Sequence, residues 1–116
     1  MSGITTHVLD TARGKPAPGV PVVLDFLDIH YSPGWRRLGA AITDDDGRAR
    51  RLLPEGTTLI PGTYRITFAT DAYFRKQGVE GFYPEAAIVF DVRDAAQHYH
   101  VPLLLSPYGY TTYRGS

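Results

Sequence analysis

The chain has no cysteine among its 116 residues, so a disulfide framework, a thiolate nucleophile and a thiolate metal ligand are all excluded. Packing and hydrogen bonds must hold the fold. No apolar run approaches the roughly 20 residues that a membrane helix needs. The opening Met1-Ser2-Gly3-Ile4-Thr5-Thr6-His7 has neither the basic n-region nor the apolar h-region of a secretory signal. The expectation is a cytoplasmic protein with no membrane partner. Net charge is also missing, since twelve basic residues balance twelve acidic ones. Without a positive field, phosphate backbones are poor ligands, and no nucleic-acid partner is expected. Nucleophile elbow, phosphate-cradling glycine loop and paired-carboxylate signature are absent too, which leaves acyl-enzyme and phosphoryl-transfer chemistry unsupported.

What is present has the balance of an ordinary globular domain, 43% hydrophobic and 21% charged. The length suits a single domain over residues 1–116, with roughly two-thirds of the unfolded chain's surface buried. Short runs of β-branched and aromatic residues, punctuated by Gly, Pro and Asp, predict strands. These cover Ile4 to Asp10, Val20 to Ile29, Trp35 to Thr43, Arg48 to Leu53, Gly62 to Thr70, Ala87 to Val92, His98 to Leu105 and Tyr108 to Arg114. Gly14 to Gly19 is a turn-rich break, Pro33-Gly34 marks a turn, and Asp44-Asp45-Asp46-Gly47 is a hairpin signal. One helix is predicted over Asp71 to Gln77, with Asp71 as N-cap and Gly78 as stop. The fold class is all-β, a two-sheet sandwich of about eight strands with one short helix.

Candidate chemistry lies in the histidines His7, His30, His98 and His100, because imidazole titrates nearest neutral pH. Side chains alternate along a strand, so Thr5 and Leu9 share the face of His7. His98-Tyr99-His100 likewise sets two imidazoles on one face, with Cα atoms about 6.6 Å apart. A bland hydrogen-bonded strand histidine fits His7 as well, and a His-x-His pair is a weak metal signal without a third ligand. Arg48 follows the Asp-Gly turn, where arginines usually meet solvent. Tyr113-Arg114-Gly115-Ser116 has the composition of a tail that frays. Residues alone therefore reach a β-sandwich with a histidine-rich face, and no substrate.

Read together, His7-Val8-Leu9-Asp10-Thr11, Thr43 to Arg48, Tyr73-Phe74, Phe82-Tyr83-Pro84-Glu85 and the stretch from His98 to Ser116 resemble the 5-hydroxyisourate hydrolase family, the enzymatic relatives of transthyretin. The resemblance spans the whole chain and is most specific in His98 to Pro107 and the terminal Tyr-Arg-Gly-Ser. Departures are small: Ile4-Thr5 stands where Leu-Ser is more usual, Thr111 replaces a common Ser, and Thr58 to Pro61 extends a loop.

The resemblance implies a transthyretin-like homotetramer, a dimer of dimers with sites in a central channel, and neither metal nor organic cofactor. It implies a small purine-derived substrate. His7, Arg48 and His100 become the catalytic residues, while Tyr113 and Ser116 bind substrate and His98 neighbours them on the same face. Arg48 would bind the substrate's carbonyl edge and lower a neighbouring histidine's pKa. Two rival readings are a transthyretin-type carrier without catalysis and a structural sandwich of the carboxypeptidase regulatory type. The latter shares patterns at Gly14 to Val20 and Thr43 to Arg48 but lacks the long C-terminal motif.

Overall fold

The first strand, β1 (Gly3–Asp10), obeys its alternation: Ile4, Thr6, Val8 and Asp10 are buried, and the residues between them are half-buried on the other face. A computed structural model describes residues 3–30, 32 and 34–116. In chain order it continues with β2 (Lys15–Pro16), β3 (Pro21–Leu27), β4 (Trp35–Ile42), β5 (Arg48–Ala49) and β6 (Gly62–Phe68). Helix α1 (Thr70–Lys76) follows, then β7 (Ala86–Val92), β8 (His98–His100), β9 (Leu103–Ser106) and β10 (Gly109–Thr112).

β1 is the hub of one sheet. Along one edge it pairs in parallel with β8 and then β9; along the other it pairs antiparallel with β5 and then β2. β10 closes back on β9. The second sheet is an antiparallel run of β4, β3, β6 and β7, with an irregularity in β3 at Leu24/Asp25. Between the sheets lies the core, where Leu24, Tyr64, Ile66 and Phe68 from the second sheet join Ile4, Val8, Leu103 and Leu105 from the first. Burying such side chains contributes about 1.5–3 kcal/mol each. The all-β sandwich with one short helix is thus the observed architecture.

Several boundaries differ from expectation. The stretch His98 to Leu105 is two strands, because Pro102 has no N–H for the ladder and its carbonyl accepts from the Thr112 hydroxyl instead. Lys15–Pro16 pairs with Leu9 and Asp10 inside the predicted break. The strand after Gly47 stops at Ala49. Of the predicted Pro33-Gly34 turn, Pro33 lies outside the described residues, while Gly34 has φ 107° and its carbonyl accepts from Asp28 N–H.

The helix starts one residue before Asp71, with Ala69 at the N-cap and no side-chain capping bond. Asp71 is spent otherwise, accepting from Arg75 one turn on at 3.1 Å. Thr70 fixes the start by donating to the Tyr83 carbonyl. The helix then reaches across the sandwich: Tyr73 donates its hydroxyl to the buried Asp10 at 2.7 Å. Gly78, at φ 68°, ends the helix.

Candidate active site

The outward face of β1 gathers the predicted residues by register. His7 lies directly opposite Arg48 of β5, and Thr5 beside His100 of β8. Partners across a ladder share a face and stand roughly 4.5–5.5 Å apart at Cβ. Tyr99, between the two β8 histidines, is buried, so His98 and His100 face outward with His7 and Arg48.

Arg48 owes its place to the turn before it. The Asp44 carboxylate accepts from the N–H groups of Asp46 and Arg48, at 2.9 and 3.0 Å, and Gly47 adopts φ 76°. A Cβ on Gly47 would sit 2.4 Å from the Val8 carbonyl oxygen, so only glycine lets this turn press on β1. The Arg48 N–H is the main cause that holds the Asp44 carboxyl below the usual carboxylate range. Arg50 takes the remaining acidic charge, with Asp44 and Asp46 at 3.5 and 3.6 Å. Among the described residues no carboxylate pairs with the half-buried Arg48 guanidinium.

His7 donates from Nε2 to the Asp46 carbonyl at 2.8 Å. A carbonyl only accepts, so neutral His7 carries its proton on Nε2 and offers Nδ1 as a lone pair. His100 binds through Nδ1 to the Thr5 hydroxyl at 2.8 Å, which leaves Nε2 for the site. The same hydroxyl touches His98 Nε2 at 2.9 Å. Burial first, then the charges of Arg48, His7 and His98, push the His100 pKa below its ordinary value. His100 is therefore predisposed to be a neutral base. Both β8 histidines spend a ring nitrogen on Thr5, and among the described residues no three metal-ligating side chains converge.

The C-terminal tail returns to this face through Gly115, whose N–H donates to the His100 carbonyl at 2.8 Å. A Cβ on Gly115 would lie 2.6 Å from His100 Cδ2, so the bare glycine backbone lies against the imidazole. Arg114 binds Gln97 at 2.7 Å and covers the Tyr99 ring. Ser116, exposed, follows Gly115. Tyr113 is placed apart from the imidazoles: it lines a hollow of about 240 Å³ with Phe90, Asp91, Tyr99, Val101 and Arg114. His98 also borders a cleft of about 520 Å³ formed with the loop from Leu53 to Leu59, together with Arg50 and Arg51.

Sequence reasoning did not assign roles to Thr5 and Gly115. Alternation already put Thr5 on the face of His7, but pairing β1 with β8 was needed to bring its hydroxyl between two rings. Nothing in a glycine's identity announces what packs against it.

Fold and site together define a transthyretin-like β-sandwich with an outward-facing cluster of histidines and an arginine on its first sheet. The chain belongs to the HIUase/Transthyretin family, whose description matches residues 4–115. It is 48% identical to a 5-hydroxyisourate hydrolase of Caulobacter vibrioides over 100% of both chains. A solved structure of Klebsiella pneumoniae 5-hydroxyisourate hydrolase is similar with TM-score 0.84 and 34% identity, covering 99% of this chain and 100% of that one. Transthyretin from Sparus aurata is similar with TM-score 0.89 and 32% identity, covering 99% and 97%. Since backbone likeness to hydrolase and transthyretin is about equal, the side chains on the sheet face must discriminate.

Proposed function

We propose that this chain hydrolyses 5-hydroxyisourate, opening its six-membered ring at the N1–C6 amide to give 2-oxo-4-hydroxy-4-carboxy-5-ureidoimidazoline in urate degradation. The hydrolase reading rests on one observation above the others: the Arg48 guanidinium, without a carboxylate partner among the described residues, beside two oriented imidazoles. A channel built to hold an apolar ligand without chemistry gains nothing from burying that charge, whereas a reaction that builds an oxyanion does.

His100 Nε2 takes a proton from water as the water oxygen attacks C6. The carbonyl oxygen becomes an oxyanion beside Arg48, whose fixed donors stabilise it. Collapse breaks the C6–N1 bond, and the proton held on His100 passes to N1. His7, its Nε2 occupied by Asp46, accepts a substrate N–H at Nδ1 and sets the ring's orientation. The tail tied to His100 by Gly115 carries Ser116 as a substrate-binding group, His98 neighbours the site, and Tyr113 lines the separate hollow beside Tyr99. No metal or organic cofactor enters this scheme.

Residues 1–116 act as one domain in a cytoplasmic homotetramer, a dimer of dimers. Supporting assembly, the catalytic face is open to solvent in a lone chain. The sheet edges at β7 and β10 adjoin exposed aromatic residues, Phe82 and Tyr108. No helix among the described residues is long and apolar enough to cross a membrane.

Following the ultraviolet absorbance of freshly generated 5-hydroxyisourate tests the activity. Decay with protein should far exceed the spontaneous rate, and a rate equal to background would refute the reading. Arg48→Ala should lower kcat/KM by about a hundredfold or more. Arg48→Lys should recover only part, since a point charge cannot replace a planar fork.

A further inference from the structure

We infer that the Thr5 hydroxyl couples the protonation of His98 to the tautomer of His100, so that His98 gates whether His100 can act as a base. The inference rests on the hydrolase reading only for its kinetic consequence. Thr5 Oγ1 lies 2.9 Å from His98 Nε2 and 2.8 Å from His100 Nδ1. A hydroxyl carries one proton, so when it donates to one ring it accepts from the other.

Two arrangements follow. In the first, His100 holds its proton on Nδ1 and donates to Thr5, Thr5 donates to His98 Nε2, and His100 Nε2 is a free lone pair. In the second, His98 Nε2–H donates to Thr5, Thr5 donates to His100 Nδ1, and neutral His100 carries its proton on Nε2. Only the first leaves a base facing the site.

Protonating His98 ends the first arrangement, because an imidazolium has no lone pair to receive the Thr5 proton, and that proton is then released to His100 Nδ1 as in the second. The change balances. His98 gains a proton from solvent at Nε2, Thr5 turns its own proton to His100 Nδ1, and His100 moves its proton from Nδ1 to Nε2 by exchange with water. His98 is the exposed member of the pair and His100 the half-buried one, so solvent pH is sensed at one ring and felt at the other. Facing His100 are Arg48 from β5, His7 from β1 and His98 from β8. Around His98 stand Gly3 and Ile4 of β1 and, across the cleft, Arg50, Arg51 and Glu55.

Thr5 is accordingly a positioning residue. Its test is nitrogen NMR of protein labelled with 15N-histidine, titrated from alkaline to mildly acidic pH, for wild type, Thr5→Val, Thr5→Ser and His98→Gln. In wild type the His100 proton should move from Nδ1 to Nε2 over the pH range in which His98 protonates. Thr5→Val, of similar shape but without the hydroxyl, should abolish that coincidence, and Thr5→Ser should restore it. His98→Gln should leave His100 in one tautomer across the range. Kinetically, Thr5→Val should lower kcat/KM by about tenfold or more and shift its acid limb, while Thr5→Ser regains most of the loss. A His100 tautomer indifferent to His98 in wild type, or unchanged coupling in folded Thr5→Val, overturns the inference. If wild type shows no turnover, the hydrolase reading fails, and the NMR titration still decides the coupling.

Discussion

At His100, burial and three neighbouring positive or protonatable groups act in the same direction, against the imidazolium. The folded pKa therefore lies below the ordinary 6.5 that the unfolded chain has. Between those two values the unfolded state binds the proton and the folded state does not, so stability falls as pH drops below 6.5 and the loss is complete once pH passes the folded pKa. Above 6.5 this residue contributes no pH dependence. The melting temperature of wild type should fall relative to that of His100→Gln as pH drops through this range, because the variant lacks the penalty. In His98→Gln, where no second imidazole acts on Thr5, the acid limb of kcat/KM should also lie below 6.5. A limb above 6.5, or parallel stability curves, would contradict a neutral, disfavoured-charge His100. His7, Arg48 and His100 were legible in the sequence as candidates because they match a family pattern and carry ionisable groups, and the strand register sets them on one face. Thr5 and Gly115 were not, since each acts only through what another strand brings against it.

Among the elements, strands with clean alternation were legible from period-two patterning alone, as in β1 and β6. Period says nothing about partners, however, and the pairing of β1 with β5 on one edge and with β8 on the other is what brings the candidate residues together. The two-residue strand β2 escapes pattern detection because two residues establish no period, and β5, expected over Arg48 to Leu53, ends at Ala49. Asp71 misled as a cap because its i+4 partner Arg75 competes for the carboxylate. The C-terminal tail also departs from expectation. Its composition suggests fraying, yet the Gly115 bridge, the Arg114–Gln97 bond and the Arg114–Tyr99 stack tie it down. Gly115→Ala should therefore separate activity from stability. A Cβ placed 2.6 Å from His100 Cδ2 must move the ring or the tail, and misplacement by about 1 Å can cost roughly a hundredfold in rate. The melting temperature should change little, because the tail adds little to the core. Turnover and thermal melts on the purified variant check this; wild-type turnover would show that the glycine does not position His100.

In the whole molecule, the open sheet face and the exposed aromatic residues present the same physical difficulty. Phe82 is 67% exposed and Tyr108 70% exposed. Phe82 and Tyr83 meet edge to face with centroids 4.9 Å apart, and Tyr83 meets Tyr110 at 5.4 Å. The Phe82 N–H bonds the Pro107 carbonyl, so the patch joins the loop before β7 to the turn before β10. Contiguous exposed aromatic surface rimmed by polar residues marks an association site, and it lies beside strands whose outer edges offer unpaired backbone groups. On the proposed hydrolase reading, the face with His7, Arg48 and His100 gains from association for a separate reason: electrostatic stabilisation by a guanidinium weakens in open water and strengthens when a second protein surface excludes solvent. If both needs are met by one homotetramer, a charge placed in the aromatic patch should remove activity without touching any reacting group. Phe82→Glu should shift the protein to smaller species in sizing with light scattering and lower kcat at a distance from the imidazoles. Raising the variant's concentration should recover part of the rate as assembly is restored by mass action. Full specific activity in a Phe82→Glu monomer would show that a lone chain holds a complete site.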